Sequence, residues 1–192
     1  MNDIHSLMSA LMECKPNRLQ RISLSSCEIE DELASDLINS LNEMPGLCNL
    51  FQLVLEGNRI ANKGCAALGE LLGNSECRLQ ELNLNYNRID DKCLMGLARA
   101  LMKSSTIKTL SLSGLHNVTP YGWRSFFSVY FSASECSLQA IDLGYNYIGD
   151  EGFVSLGESI AVNGCLKLNP SISVPLTAAP LHHLAGMYFQ VH

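Results

Sequence analysis

Five histidines, eight cysteines and nineteen carboxylates are the groups in this 192-residue chain with the most to offer chemically, and their spacing decides what they do. His5, His116, His182, His183 and His192 have no cysteine or carboxylate recurring at a useful distance, so neither a metal set nor a nucleophile–base pair is assembled. His182 and His183 are adjacent, and neighbouring side chains of an extended segment point apart. No Cys-x-x-Cys pair occurs, which leaves zinc ligation by local ligands unsupported. The pairs Asp90-Asp91 and Asp150-Glu151 precede apolar periodic stretches and read as helix-opening residues, favoured there by the helix dipole. The glycines fall at turns and helix ends and form no phosphate-cradling loop. These patterns predict no catalysis, no metal and no cofactor.

The cysteines read instead as small buried hydrophobes, because several recur at core positions of a repeating pattern. Thiols used in that way belong to a reducing compartment, so the expectation is a cytoplasmic protein without disulfides. The opening MNDIHSLMSALMECK lacks the basic region and long apolar run of a secretory signal, and the sequon Asn117-Val118-Thr119 is followed by Pro120. No membrane span is expected, since the longest uncharged stretch, Leu168 to His192, is broken by Pro170, Pro175 and Pro180. A hydrophobic content of 47% against 17% charged residues fits a packed core rather than disorder. With a net charge of −6 and no basic stripe, nucleic acid is not an expected ligand, and no small-molecule substrate is expected either.

The elements that must position everything else are set by a repeat, L-x-x-L-x-L-x-x-N/C-x-I. It occurs as Leu19-Ile22-Leu24-Cys27-Ile29, Leu50-Leu53-Leu55-Asn58-Ile60 and Leu79-Leu82-Leu84-Asn87-Ile89. A weaker fourth copy is Ile107-Leu110-Leu112-Leu115-Val118, and the fifth is Leu138-Ile141-Leu143-Asn146-Ile148. The first positions are 31, 29, 28 and 31 residues apart. Alternating apolar residues in each copy face one side of a short strand. The Asn amide then bonds backbone groups where the chain turns inward, and stacked copies make a ladder. Cys27 fills that slot as a weak hydrogen-bonder. Leu115 has nothing to bond with, and its copy is one residue longer, which predicts a local bulge with Asn117 as the substitute.

Helical periodicity follows each strand. Leu94, Leu97, Ala98 and Leu101 keep the i, i+3, i+4, i+7 spacing, as do Leu33, Leu37, Ile38 and Leu41. Ala66, Ala67, Leu68, Leu71 and Leu72 form a narrower stripe that stops at Gly73-Asn74. Thr119 is placed to cap a helix with Pro120 at its first position. The run Trp123, Phe126, Phe127, Tyr130 and Phe131 reads first as helix–helix core and second as a partner patch. Residues 1–18, with Ile4, Leu7, Met8, Leu11 and Met12, form a helical half-repeat that caps the front. Residues 19–167 hold five repeats and the start of a sixth, with Ile160 to Lys167 heading toward the next strand. Residues 168–192 carry no formal charge and lose the pattern. They read as a divergent or disordered tail, the product of truncation or splicing, or else as a cap docking Leu181, Leu184, Met187 and Phe189.

These motifs resemble the ribonuclease-inhibitor-like class of leucine-rich repeats, found also in nucleotide-binding innate-immune receptors and in the activator of the Ran GTPase. The segments LEGNRIANKG (55–64) and LGYNYIGDEG (143–152) carry the resemblance, together with Cys48-Asn49-Leu50, Cys77-Arg78-Leu79 and Cys136-Ser137-Leu138. It implies an α/β fold: a curved right-handed solenoid with a parallel sheet on the concave face and helices on the convex face. It also implies a cytoplasmic module that binds a protein partner. Outward strand positions and the turns beside them offer Gln52, Glu56, Glu81, Asn83, Asn85, Tyr86, Asp142 and Tyr145 as candidate binding residues, with Ser113 also facing outward. Tyr86 and Tyr145 occupy matching places and are the natural anchors. Two other readings stay open. One is activation of a Ran-like GTPase through Asn85 or Asn87; the other is a non-functional truncated isoform of a longer repeat protein.

Overall fold

The computed structural model describes residues 2–13, 19–43, 49–131 and 137–163, and strand and helix alternate throughout. Helix α1 (Asn2–Glu13) is followed by β1 (Arg21–Ser23), α2 (Asp31–Glu43), β2 (Gln52–Val54) and α3 (Asn62–Gly73). Then come β3 (Glu81–Asn83), α4 (Asp91–Leu101), β4 (Thr109–Ser111), α5 (Pro120–Tyr130), β5 (Ala140–Asp142) and α6 (Gly149–Asn163). The strands form one parallel sheet in chain order. Ile22, Leu53, Leu82, Leu110 and Ile141 stand in register, and all five are buried. Successive strands stack about 4.8 Å apart, whereas packed helices need roughly 8–10 Å, so the sheet side is the shorter, concave one. This is the leucine-rich-repeat solenoid that the motif implies.

Each strand spans three residues because the chain must then dive toward the helix layer. The ladder nevertheless continues past the strands, with the N–H groups of Leu24, Leu55, Leu84 and Leu112 each donating at 2.9 Å to the next repeat. The buried turn that follows is satisfied by asparagine. Asn58 donates to the carbonyls of Leu24 (2.8 Å) and Leu55 (2.9 Å), and its Oδ1 accepts from the N–H groups of Cys27 (3.1 Å) and Ile29 (3.0 Å). Asn87 repeats this one unit on, donating to Leu55 and Leu84 and accepting from Ile60. Asn146 donates to Leu112 and Leu143 and accepts from Leu115. Cys27 lies exposed at the outer end of the row, its thiol donating to the Ser25 carbonyl.

A second set of ties links helix starts. The Asp31 carboxylate on α2 accepts from the N–H groups of Ala61 (2.7 Å), Lys63 (2.9 Å) and Gly64 (2.8 Å), capping α3 where Ala61 offers no side-chain cap. Asp91 on α4 likewise accepts from the Thr119 N–H (2.7 Å) and hydroxyl (2.6 Å) ahead of α5. Glycine at 122 follows from this, since a Cβ there would meet the Asp91 carboxylate at 2.0 Å. Thr119 caps α5 by accepting from the Gly122 N–H, with Pro120 at the first turn. Asp90 caps α4 through the Cys93 N–H.

The core is continuous from Ile22 to Leu156. Trp123, Phe126, Phe127, Tyr130 and Phe131 are all buried, with Trp123 stacked on Phe127 and Phe126 on Tyr130, so the aromatic run is core. Leu7 and Met8 of α1 lie half-buried against this core. Three details differ from expectation. Ala66 is exposed, and Cys65 takes its place on the buried face of α3, because the helix begins at Asn62 and turns that residue inward. Asn117 is exposed and makes no side-chain hydrogen bond among the described residues, while Leu115 is fully buried. The fourth repeat thus fills the turn with an apolar plug instead of substituting its asparagine. Ser113 is buried too, its hydroxyl donating to the Gly144 carbonyl at 2.7 Å. The residues expected to begin a sixth strand at 164–167, and the tail 168–192, lie outside the described residues.

Asn58→Ala removes the amide's bonds to the Leu24 and Leu55 carbonyls and to the Cys27 and Ile29 N–H groups, of which the Leu55 carbonyl keeps Asn87, and is expected to destabilise the fold by roughly 3 kcal/mol. Asn146→Ala, at a half-buried position with fewer ladder bonds, is expected to cost about half as much. Urea midpoints at constant m-value check the order. A second prediction concerns alkaline pH. Hydrogen bonding to Cys93, then burial, pushes the Cys65 thiol up, and the same bond pulls Cys93 down. Cys77, raised from its ordinary 9.0 by burial first, is the simpler case. The unfolded thiol ionises before the folded one, so stability is intact below pH 9.0 and falls as pH rises beyond it. Urea midpoints should drop from about pH 8 to about pH 10, less steeply in Cys77→Ala.

Candidate functional site

The face that α-helices do not cover is the outer side of the sheet, and its residues alternate with the buried leucines. On β2 to β5 the pattern is half-buried, buried, half-buried in every strand. The polar side chains on this face are tied to one another. Gln52 Nε2 donates to Glu81 at 2.6 Å across β2 and β3. Asn83 Nδ2 donates to the Glu56 carboxylate at 3.0 Å and its Oδ1 accepts from the Asn85 N–H at 2.9 Å. Asn85 Oδ1 in turn accepts from the Ser113 N–H at 2.7 Å. Asp142 accepts from the Gly144 N–H at 2.9 Å. Six of the eight candidate residues are therefore held in place before any partner arrives.

The remaining two, Tyr86 and Tyr145, sit at the turn immediately before the ladder asparagine. That position has a left-handed backbone in every repeat: Ser26 (φ 54°), Gly57 (68°), Tyr86 (54°), Gly114 (66°) and Tyr145 (55°). The cause is the sheet itself. The N–H groups of Ser26, Gly57, Tyr86 and Gly114 each donate at 2.8–2.9 Å to a carbonyl of the next repeat, and only this conformation lets the chain do so while turning inward. Glycine adopts it freely, whereas other residues lose about 1–2 kcal/mol. Two repeats nevertheless carry tyrosine there. The rings of Tyr86 and Tyr145, 45% and 67% exposed, lie with centroids 6.3 Å apart and planes tilted by 38°. They meet across the intervening repeat because it has glycine: a Cβ on Gly114 would strike the Tyr86 ring at 2.3 Å.

Sequence reasoning placed these two tyrosines together but missed Tyr147, 75% exposed and two residues beyond Tyr145. Its position, between the ladder asparagine and the buried Ile148, is an outward one, which was the available signal. Asn85 and Asn87, the residues a GTPase-directed role would need, are committed to the fold: the first to the Ser113 backbone, the second within the buried ladder. Among the described residues, no cluster of three histidine, cysteine or acidic side chains is arranged to hold a metal ion, and no helix is long and apolar enough to cross a membrane.

Residues 4–149 match the family of the PRAME C-terminal domain. The chain is 30% identical over 183 residues to NACHT, LRR and PYD domains-containing protein 5 of Bos taurus, covering 82% of this chain and 16% of that protein. It is 26% identical over 183 residues to the ribonuclease inhibitor of Sus scrofa, covering 80% of this chain and 38% of the inhibitor. The chain thus spans well under half the length of these relatives. Among solved structures, leiomodin-1 actin-binding site 2 is similar with a TM-score of 0.64 at 15% identity, over 83% of this chain and 88% of that one, a likeness of fold alone. With its stacked strand–helix units and asparagine ladder, the chain belongs to the PRAME C-terminal domain family, a leucine-rich-repeat family, and its repeats are of the ribonuclease-inhibitor type.

Proposed function

We propose that the chain is a non-catalytic module that holds a protein partner on its strand face and the turns beside it. The observation that carries this reading is the Tyr86–Tyr145 pair: two large rings, exposed and touching, kept at positions where the backbone favours glycine. Strain held at side chains that stay largely exposed fits a binding role. Tyrosine is suited to that role because it buries a large amphipathic area with little side-chain entropy to lose. The pre-bonded polar ridge beside the rings adds a rigid rim, which lowers the ordering cost of association. Two of the similar proteins are named for what they engage, a ribonuclease inhibitor and an actin-binding site. Buried free thiols at Cys65, Cys77 and Cys93 support a reducing, cytoplasmic setting.

A photo-crosslinking residue placed at 86 or 145 should yield adducts with a partner protein, while the same residue at the exposed convex position Glu70 should not. Adducts from position 70 alone would sink the proposal. Tyr145→Gly supplies the complementary measurement. Relief of the left-handed strain offsets glycine's greater freedom in the unfolded chain, so stability should stay within about 1 kcal/mol of the parent. Partner binding should fall in the same variant. A larger loss of stability would mean that the ring is retained for packing.

A further inference from the structure

We infer that the partner presents a basic segment, with an arginine side chain seated on the Tyr86 and Tyr145 rings. This rests on the binding role proposed above and adds the partner's chemistry. The outward positions of β2 to β5 and the left-handed residues that follow them carry three carboxylates, Glu56, Glu81 and Asp142, and neither lysine nor arginine. Farther along the turns, Arg59 is already paired with Glu30, and Arg88 lies two residues beyond Tyr86. Glu56 and Glu81 are anchored by the neutral amides of Asn83 and Gln52, which fix the carboxylates without cancelling their charge. The Asn83 that holds Glu56 also bonds the backbone of Asn85, so that charge sits beside the turn bearing Tyr86. Asp142 bonds the Gly144 N–H and so stands at the foot of the turn bearing Tyr145.

The two rings thus share a face with fixed carboxylates, Asp142 on the strand that leads into the Tyr145 turn and Glu56 one repeat before Tyr86. A planar guanidinium matches both components, stacking on a tyrosine face while its N–H groups reach the carboxylates. The same chemistry already operates within the chain at the neighbouring end of this face, where the Arg21 guanidinium lies 5.0 Å above the Phe51 ring. An acidic segment would be repelled by these charges. An apolar one would bury Glu56 and Glu81 without a counter-charge. The chain's net charge of −6 also steers a basic segment toward it.

The test is titration of the isotope-labelled full chain with an acetylated, amidated Gly-Arg-Gly-Arg-Gly peptide, read by NMR, with the citrulline analogue as a neutral control of the same shape. The arginine peptide should bind at low salt, shift the Tyr86 and Tyr145 ring signals and weaken as salt is added. Affinity should fall about tenfold in Y86L/Y145L, and by a similar factor in E56Q/E81Q, where the hydrogen-bond acceptors remain and only the charge is gone. No binding of the arginine peptide, equal binding of the citrulline peptide, or unchanged affinity in E56Q/E81Q would overturn the inference. If adducts still formed from positions 86 and 145 in any of those cases, the binding role would stand and only the basic character of the partner would fall.

Discussion

Every repeat must turn its chain from the sheet into the helix layer inside the core, where no water is available to the backbone. The whole solenoid depends on satisfying that turn. An asparagine amide does so because it offers both donors and an acceptor on a short side chain, and Asn58 uses them on both its own repeat and the one before. The tie is therefore between units as much as within one. The left-handed residue just before it has the same origin, since its N–H must reach the next repeat's carbonyl while the chain bends away. Stacking, curvature and the exposed strand face all follow from a turn whose backbone groups are satisfied largely by the adjoining repeats.

The period of this constraint is why so much of the fold was legible in the sequence. Strand positions came directly from alternating leucines, and Ile22, Leu53, Leu82, Leu110 and Ile141 are buried in register as that alternation requires. Thr119 and Pro120 announced the start of α5 because capping is a local matter. What escaped was non-local. The reach of Asp31 and Asp91 into the next repeat depends on how helices stagger, and a dipole argument explains acidic residues at helix starts without foreseeing their partners. Ala66 was misplaced for a similar reason, since alanine tolerates either side of a helix and carries little phase information. At the candidate site, strand alternation gave the outward positions, but not the bonds that join Gln52 to Glu81 and Glu56 to Asn83.

The fourth repeat shows how a departure from the pattern can be absorbed. Its asparagine is replaced by Leu115, which is fully buried and removes the need for an amide by filling the space with carbon. Ser113 turns inward and gives its hydroxyl to the Gly144 carbonyl, so a neighbouring residue supplies polar bonding between repeats. Asn146 of the fifth repeat reaches back to the Leu115 N–H and the Leu112 carbonyl, closing the ladder from the other side. Asn117, though polar and nearby, is carried out to the surface by the extra residue.

The same repeat also makes room for the tyrosine pair, through its glycine. Had the fourth repeat carried a side chain at position 114, the Tyr86 ring would have been driven off by a Cβ 2.3 Å away, and the two tyrosines would have stood as separate residues. With glycine there, Tyr86 lies across the gap and meets Tyr145 from two repeats on. The consensus explains glycine at a left-handed turn, and it explains nothing about tyrosine at the same turn on either side. Two strained residues flanking an unstrained one place exposed aromatic area at one point of an otherwise small and polar face. The geometry that makes the repeat possible is thereby also what distinguishes one stretch of it from the rest.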